Sequence, residues 1–186
     1  MLMSLDALRD GLKAKHAHPS FDRTSLMLVE PGASRDGVQR ASAILKLQFP
    51  PAFAELVTRF DFDRLIIHKL AFAYGKELKR FVQTNLGEPY AWWRDDKPEN
   101  QLWVAQTDRH YLVLETRDGV VRAFDKSRGG DQGIVAQDFA RLIQAAGTIE
   151  LLPPSPQSAA QVGKIAAAAG ADSAGIFWEL LAEGSA

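Results

Sequence analysis

Three short apolar segments, residues 101–106, 110–116 and 119–125, are separated by connections of only a few residues. Antiparallel neighbours can be joined by so short a link, whereas parallel strands need a crossover of a dozen residues or more. The spacing therefore predicts an antiparallel meander. Asp118-Gly119 is a good tight-turn signal between the second and third segments, and Thr107-Asp108-Arg109 a weaker one between the first and second. Helical patterns lie on both sides of this block, so the order is helix, helix, antiparallel strands, helix. That order specifies an α+β fold, a strand meander flanked by helices.

Upstream, Ser4 is placed to cap a helix with Leu5, Leu8 and Leu12 on one side, ending before His16-Ala17-His18-Pro19. Residues 24–29 are apolar and predict a strand, which Glu30-Pro31-Gly32 stops. A second helix is expected over 36–47. Gln48-Phe49-Pro50-Pro51 is extended because a proline biases its predecessor away from helical angles, and the second proline suits the first turn of a new helix. Phe53, Leu56, Val57 and Phe60 are that helix's buried stripe. The branched run from Arg64 to Ala73 predicts a strand starting near Leu65, and a further helix is expected over 75–86.

After the meander, Arg128-Gly129-Gly130-Asp131-Gln132-Gly133 reads as a Gly-rich loop approaching a helix whose stripe is Val135, Phe139, Leu142 and Ile143. Asp131 would place favourable negative charge near the start of that helix. From Leu151 onward the composition shifts to Ala, Gly and Ser, with helices expected near 157–169 and 173–183. The chain thus divides into an α+β domain, 1–150, and a helical C-terminal extension, 151–186. Ile176, Phe177, Leu180 and Leu181 form an apolar face that must dock on the main domain or on a second copy in a homodimer.

Composition removes several function classes. A net charge of -1 gives no global positive field to draw the chain onto nucleic acid or an anionic membrane. The absence of cysteine removes disulfides, thiolate nucleophiles and sulfur-ligated metal centres, and suits a reducing cytoplasm. The first ten residues reach charge before an apolar signal region can form, and no stretch is long and apolar enough to cross a bilayer. Cytoplasmic residence without a membrane anchor is the expectation.

The chemistry-bearing residues form no linear signature. The four histidines, His16, His18, His68 and His110, lack the spacing of a metal motif, so neither metal nor cofactor is expected. His68 reads as a hydrogen-bonded structural residue within a strand, and His110 as the border of a turn. No Gly-x-Ser-x-Gly is present. The acidic pairs Asp61 with Asp63 and Asp95 with Asp96 suit solvated loops better than a glycosidase. The Gly-rich loop at 128–133 lacks the Lys-Ser/Thr ending of a P-loop.

One stretch suits recognition. Trp92 and Trp93 are adjacent, so in an extended segment they point to opposite faces, one packing inward and the other available at the surface. Aromatic and Arg side chains are favoured in binding hot spots, and Arg94, Asp95, Asp96 and Lys97 would form the polar rim. Trp92, Trp93, Arg94, Asp95 and Asp96 are the candidate partner-binding residues.

Two regions carry a family resemblance. Residues 32–45, Gly-Ala-Ser-Arg-Asp-Gly-Val-Gln-Arg-Ala-Ser-Ala-Ile-Leu, and the run from Phe49 through Val57 resemble the opening of the SUKH superfamily. Leu102-Trp-Val-Ala, Tyr111-Leu-Val-Leu-Glu-Thr, Asp118-Gly-Val-Val and the run from Ile134 to Leu142 are similar, in order, to that family's strand meander and closing helix. The resemblance spans residues 30–147. Arg59-Phe60-Asp61-Phe62 stands where many members carry an Asn-Gly pair. The resemblance implies a non-enzymatic protein-binding domain; bacterial members commonly serve as immunity proteins against a cognate toxin. An immunity protein that occludes a toxin's active site is the leading expectation. A regulatory scaffold, or a small hydrolase or ligand-binding protein without a linear motif, stands beside it.

Overall fold

The computed structural model describes residues 1–72, 74–87, 99–127, 129–153, 158–172 and 175–182. Helix α1 spans Leu5–His16, with Ser4 Oγ accepting from Ala7 N at 3.3 Å and Leu8 and Leu12 buried. Helix α2 spans Arg35–Leu45, capped by Ser34, and ends where Lys46 turns left-handed at φ 55°. Helix α3, Pro51–Arg59, has proline in its first turn, as the Pro-Pro pair predicts, and its stripe of Phe53, Leu56, Val57 and Phe60 is buried.

The strand expected at 24–29 does not form. Asp22 Oδ1 accepts from both the backbone N and the hydroxyl of Thr24, at 3.0 and 2.7 Å, and this local turn leads into a 3-10 turn at Thr24–Leu26. Only Val29 bridges, to Asp61. The strand expected to start near Leu65 is a miniature hairpin instead: β1, Ile66–Ile67, and β2, Leu70–Ala71. His68, in the turn between them, is left-handed at φ 49°. Helix α4, Lys79–Asn85, starts later than the expected residue 75 because Leu78 before it is also left-handed, at φ 52°.

The meander appears as β3, Gln101–Gln106, β4, His110–Glu115, and β5, Val121–Asp125. A further strand, β6, Asp131–Ala136, extends it, giving a six-stranded sheet in the order β1-β2-β3-β4-β5-β6 with every neighbouring pair antiparallel. This corrects the reading of 128–133 as a helix approach. Gly129 and Gly130 help turn the chain back, so Asp131–Ala136 complete the open edge of β5. Gly133, at φ 94°, lies where the register between β5 and β6 slips, the conformation a bulge requires. Val135 is therefore a strand residue. Asp131 pairs with Arg122 at 2.9 Å rather than facing a helix start. The helix, α5, begins at Phe139, and Asp138 caps it through Arg141 N at 2.7 Å.

Helices α3, α4 and α5 meet the segments that flank the β1–β2 hairpin in an aromatic cluster. Phe53, Phe62, Phe72, Tyr74, Phe81 and Phe139 contact one another with ring centroids from 5.0 to 6.2 Å apart. Fully burying each such ring contributes roughly 2–3 kcal/mol. Helix α1 approaches α5 closely because Gly147 has no side chain; a Cβ there would sit 2.9 Å from Leu8 Cδ2.

The extension forms α6, Ser158–Ala169, and α7, Gly175–Ala182. Its apolar face docks on the chain's own domain, the first of the two arrangements expected. Phe177, Trp178 and Leu181 are buried, and Trp178 Nε1 donates to Val135 O of β6 at 3.0 Å. Gln137 N donates to Ala169 O at 2.9 Å, fixing the end of α6 beside the turn into α5. Among the described residues no helix is long and apolar enough to cross a membrane.

Candidate functional site

Strand alternation sorts the sheet into two faces. Leu102, Leu112, Leu114, Val121 and Ala123 face the core and are fully buried. On the other face, register places Trp103 opposite Val113, Tyr111 opposite both Gln106 and Phe124, and Arg122 opposite both Val113 and Ile134. Trp103, Tyr111, Phe124 and Ile134 on this outer face are half-buried. Trp103 and Tyr111 meet edge-on at 5.0 Å.

Charged and amide groups surround this strip. Arg122 pairs with Asp131 at 2.9 Å and, more loosely, with Glu115 at 3.8 Å, and Gln101 Nε2 donates to Glu115 at 2.7 Å. Lys126 Nζ lies 4.9 Å from the Tyr111 ring centre and donates to Gln106 Oε1 at 3.0 Å. Desolvation lowers the Lys126 ammonium's pKa, partly offset by Asp108. Partly exposed ion pairs add little stability. An aromatic strip with a rim of both signs instead has the chemistry of a protein contact surface.

Helix α4 fixes the edge of this face. Asn85 is fully buried, and its side-chain amide takes the place of a neighbouring strand along β3. Its Oδ1 accepts from Trp103 N at 2.8 Å and its Nδ2 donates to Trp103 O at 3.1 Å. Trp92, Trp93, Arg94, Asp95 and Asp96 lie outside the described residues, in the connection between α4 and β3. Arg128 is likewise outside them.

A second polar constellation forms where the C-terminal ends of α1, α5 and α7 converge. Glu150, the last residue of α5, receives Lys15 Nζ at 2.8 Å, His16 Nε2 at 3.1 Å and His68 Nδ1 at 3.1 Å. His68 Nε2 reaches Leu181 O of α7 at 2.7 Å, so both ring nitrogens meet acceptor oxygens. The hydrogen bond from His68, followed by Lys15, holds the Glu150 carboxyl at about 2, against desolvation acting the other way. Cationic side chains at helix C-termini also suit the negative dipole ends. The arrangement fastens four segments distant in sequence, α1, the β1–β2 turn, α5 and α7, in keeping with the structural role expected for His68, although His68 sits in a turn. The cleft beside it, about 530 Å3, is lined by Lys15, His16, His68, Lys69 and Glu150 together with Leu26, Ile66 and Leu152.

The remaining expected groups are local. His18 Nδ1 accepts from Ser20 N at 3.1 Å in an exposed turn. His110 borders the β3–β4 turn, as expected; its Nδ1 lies 3.4 Å from Thr107 Oγ1, and burial lowers its pKa. Asp61 accepts from Asp63 N at 3.0 Å, a loop arrangement. No group of His, Asp or Glu among the described residues is arranged to hold a metal ion. Sequence reasoning missed Asn85, Glu150 and the outer-face partnership of Arg122 and Asp131. The partnership follows from the β5–β6 register, which the sequence analysis did not foresee because it read 128–133 as a loop.

No family model, curated protein or solved structure matches this chain.

Proposed function

We propose that this chain is a non-enzymatic intracellular protein-binding module, an immunity protein that neutralises a cognate bacterial toxin by covering its active site. The carrying observation is the outer sheet face, where Trp103, Tyr111 and Phe124 are held on adjacent strands inside a rim of Arg122, Glu115, Asp131 and Lys126. Aromatic groups on a paired strand lose little freedom on binding, so more of their contact energy remains as affinity. A rim of both signs selects orientation and partner. The SUKH resemblance of residues 30–147 favours the same reading, because bacterial members of that family commonly serve as immunity proteins.

The test is co-purification of the tagged chain with the products of its neighbouring genes, followed by growth rescue against any toxic neighbour. A tight complex that restores growth supports the proposal. Absence of both complex and rescue sinks it.

A small-ligand protein is the second reading, favoured by the cleft at Glu150, whose volume of about 530 Å3 is in the range of ligand sites. Saturable binding of a metabolite, lost in His68→Ala, would favour it.

A further inference from the structure

The turn between β1 and β2 holds the C-terminal end of α7. His68 and Lys69 make up that turn, and both reach carbonyls at the end of the helix. His68 Nε2 meets Leu181 O at 2.7 Å and Lys69 Nζ meets Leu180 O at 3.5 Å. The last carbonyls of a helix have no partner within it, and they carry the negative end of its dipole. On its other side the His68 ring meets Glu150 Oε2, with Nδ1 at 3.1 Å. We propose that these contacts form a proton-sensitive latch: α7 docks firmly while His68 carries both ring protons and loosens when one leaves.

The chemistry of the two acceptors carries this. A neutral imidazole has one N–H and one lone pair, and only the imidazolium donates from both nitrogens. A backbone carbonyl can only accept. Glu150 can only accept as well, because its carboxyl, held at about 2, is ionised across the neutral range. A neutral His68 therefore sets a nitrogen lone pair against an oxygen on one side. The charged acceptor makes the stronger bond and keeps the remaining proton, so the contact to Leu181 O is the one that yields. Docking of α7 thus retains a proton: it is complete on the acid side of the imidazole's titration and weakens on the alkaline side.

The charged groups around His68 among the described residues come from α1, α5 and the turn itself. Lys15 and His16 of α1 both hold the other oxygen of Glu150, and Lys69 lines the same cleft. The lysines oppose the charge of an imidazolium, and Glu150, bonded to the ring, favours it. The 3-10 turn at Thr24–Leu26 carries no charge, and Glu179 of α7 is exposed. What the latch controls is the surface that α7 covers. Trp178 donates to Val135 O on the outer edge of β6, and Phe177 packs edge-on against His110 with centroids 5.4 Å apart. Loosening α7 uncovers both rings and that strand edge. His110 also titrates against α7, but with the opposite sign: burial lowers its pKa, so a proton gained there on acidification would loosen the helix.

The test follows hydrogen exchange at the Trp178 indole N–H of the full chain, corrected for the intrinsic pH dependence of exchange, from about pH 5 to about pH 8, the span over which histidines titrate. Protection is expected to fall about ten-fold or more toward the alkaline end, the effect of losing a hydrogen bond to a charged group. The fall should run in step with the loss of one His68 ring N–H, read by nitrogen NMR. His68→Asn removes the titrating ring and suits the left-handed backbone at φ 49°, so it should fold and flatten the profile, whereas His16→Asn should keep it. Protection that stays constant in the wild type, or that falls equally in His68→Asn, overturns the latch. The ring spectrum decides without any variant: a His68 ring with a single N–H at both ends of the range overturns it too.

Discussion

Asn85 holds both the N–H and the C=O of Trp103, accepting from the first at 2.8 Å and donating to the second at 3.1 Å. The pair joins a helix to the stretch of β3 that the short β2 does not reach, and it sets the position of an aromatic residue that belongs to the outer face and lines a cleft beside α4. Asn85→Ala removes both bonds and leaves two backbone groups unpaired, with an expected loss of about 2–4 kcal/mol. Urea unfolding measures it. Asn85→Asp keeps the acceptor but sets a carboxylate against Trp103 O, so it should recover little of the loss.

Glu150 gives the fold a defined acid limit. Its carboxyl titrates at about 2 in the folded chain, below the ordinary 4.5, chiefly through His68 and then Lys15. A carboxyl with a lowered folded pKa contributes stability that is complete above the unfolded value and is lost as pH falls toward the folded one. Unfolding free energy should therefore drop between about pH 4.5 and pH 2 in the wild type and more gently in Glu150→Gln. At neutral pH the variant should be weaker by on the order of 2 kcal/mol, less than full linkage because solvent screens a partly exposed carboxylate.

Gly32 should not tolerate a side chain. A Cβ there would overlap the carbonyl oxygens of Val57 and Phe60, both backbone atoms at the end of α3. Those same turns accept from Gly32 N and Ala33 N, so the loop caps α3 and cannot move away without losing the cap. Gly32→Ala is expected to cost about 3 kcal/mol, in the upper part of the overpacking range, and thermal unfolding reads it.

Trp178 tests the docking of the C-terminal helices. It is fully buried and its indole donates to Val135 O. Trp178→Ala should cost about 3–5 kcal/mol. Trp178→Phe keeps most of the volume but leaves that carbonyl unpaired, and should cost about 1–2 kcal/mol. Equal, negligible losses in chemical denaturation would mean the extension is not part of the folded core.

The elements legible in the sequence were those specified by local chemistry. Ser4 and Ser34 cap, Pro51 opens a helix, and the short links around Asp108 and Gly119 force antiparallel neighbours. Where local and tertiary terms compete, the local reading fails. Asp22 diverts the apolar 24–29 run into a turn, and Gln132-Gly133-Ile134-Val135 becomes a strand because β5 has an open edge beside it, which no local pattern reveals. The candidate surface was legible only as alternation; its partners come from register. Asn85 and Glu150 gave no signal at all, since each is defined by groups distant in the chain.

The most direct test of the protein-binding account is capture of the products of neighbouring genes, and growth rescue against any toxic one among them, by two folded variants, Tyr111→Glu on the outer face and Ile44→Glu on α2, where Ile44 is exposed. The account predicts that Tyr111→Glu, with circular dichroism unchanged, loses rescue and partner capture while Ile44→Glu keeps both. Full rescue by Tyr111→Glu would contradict it.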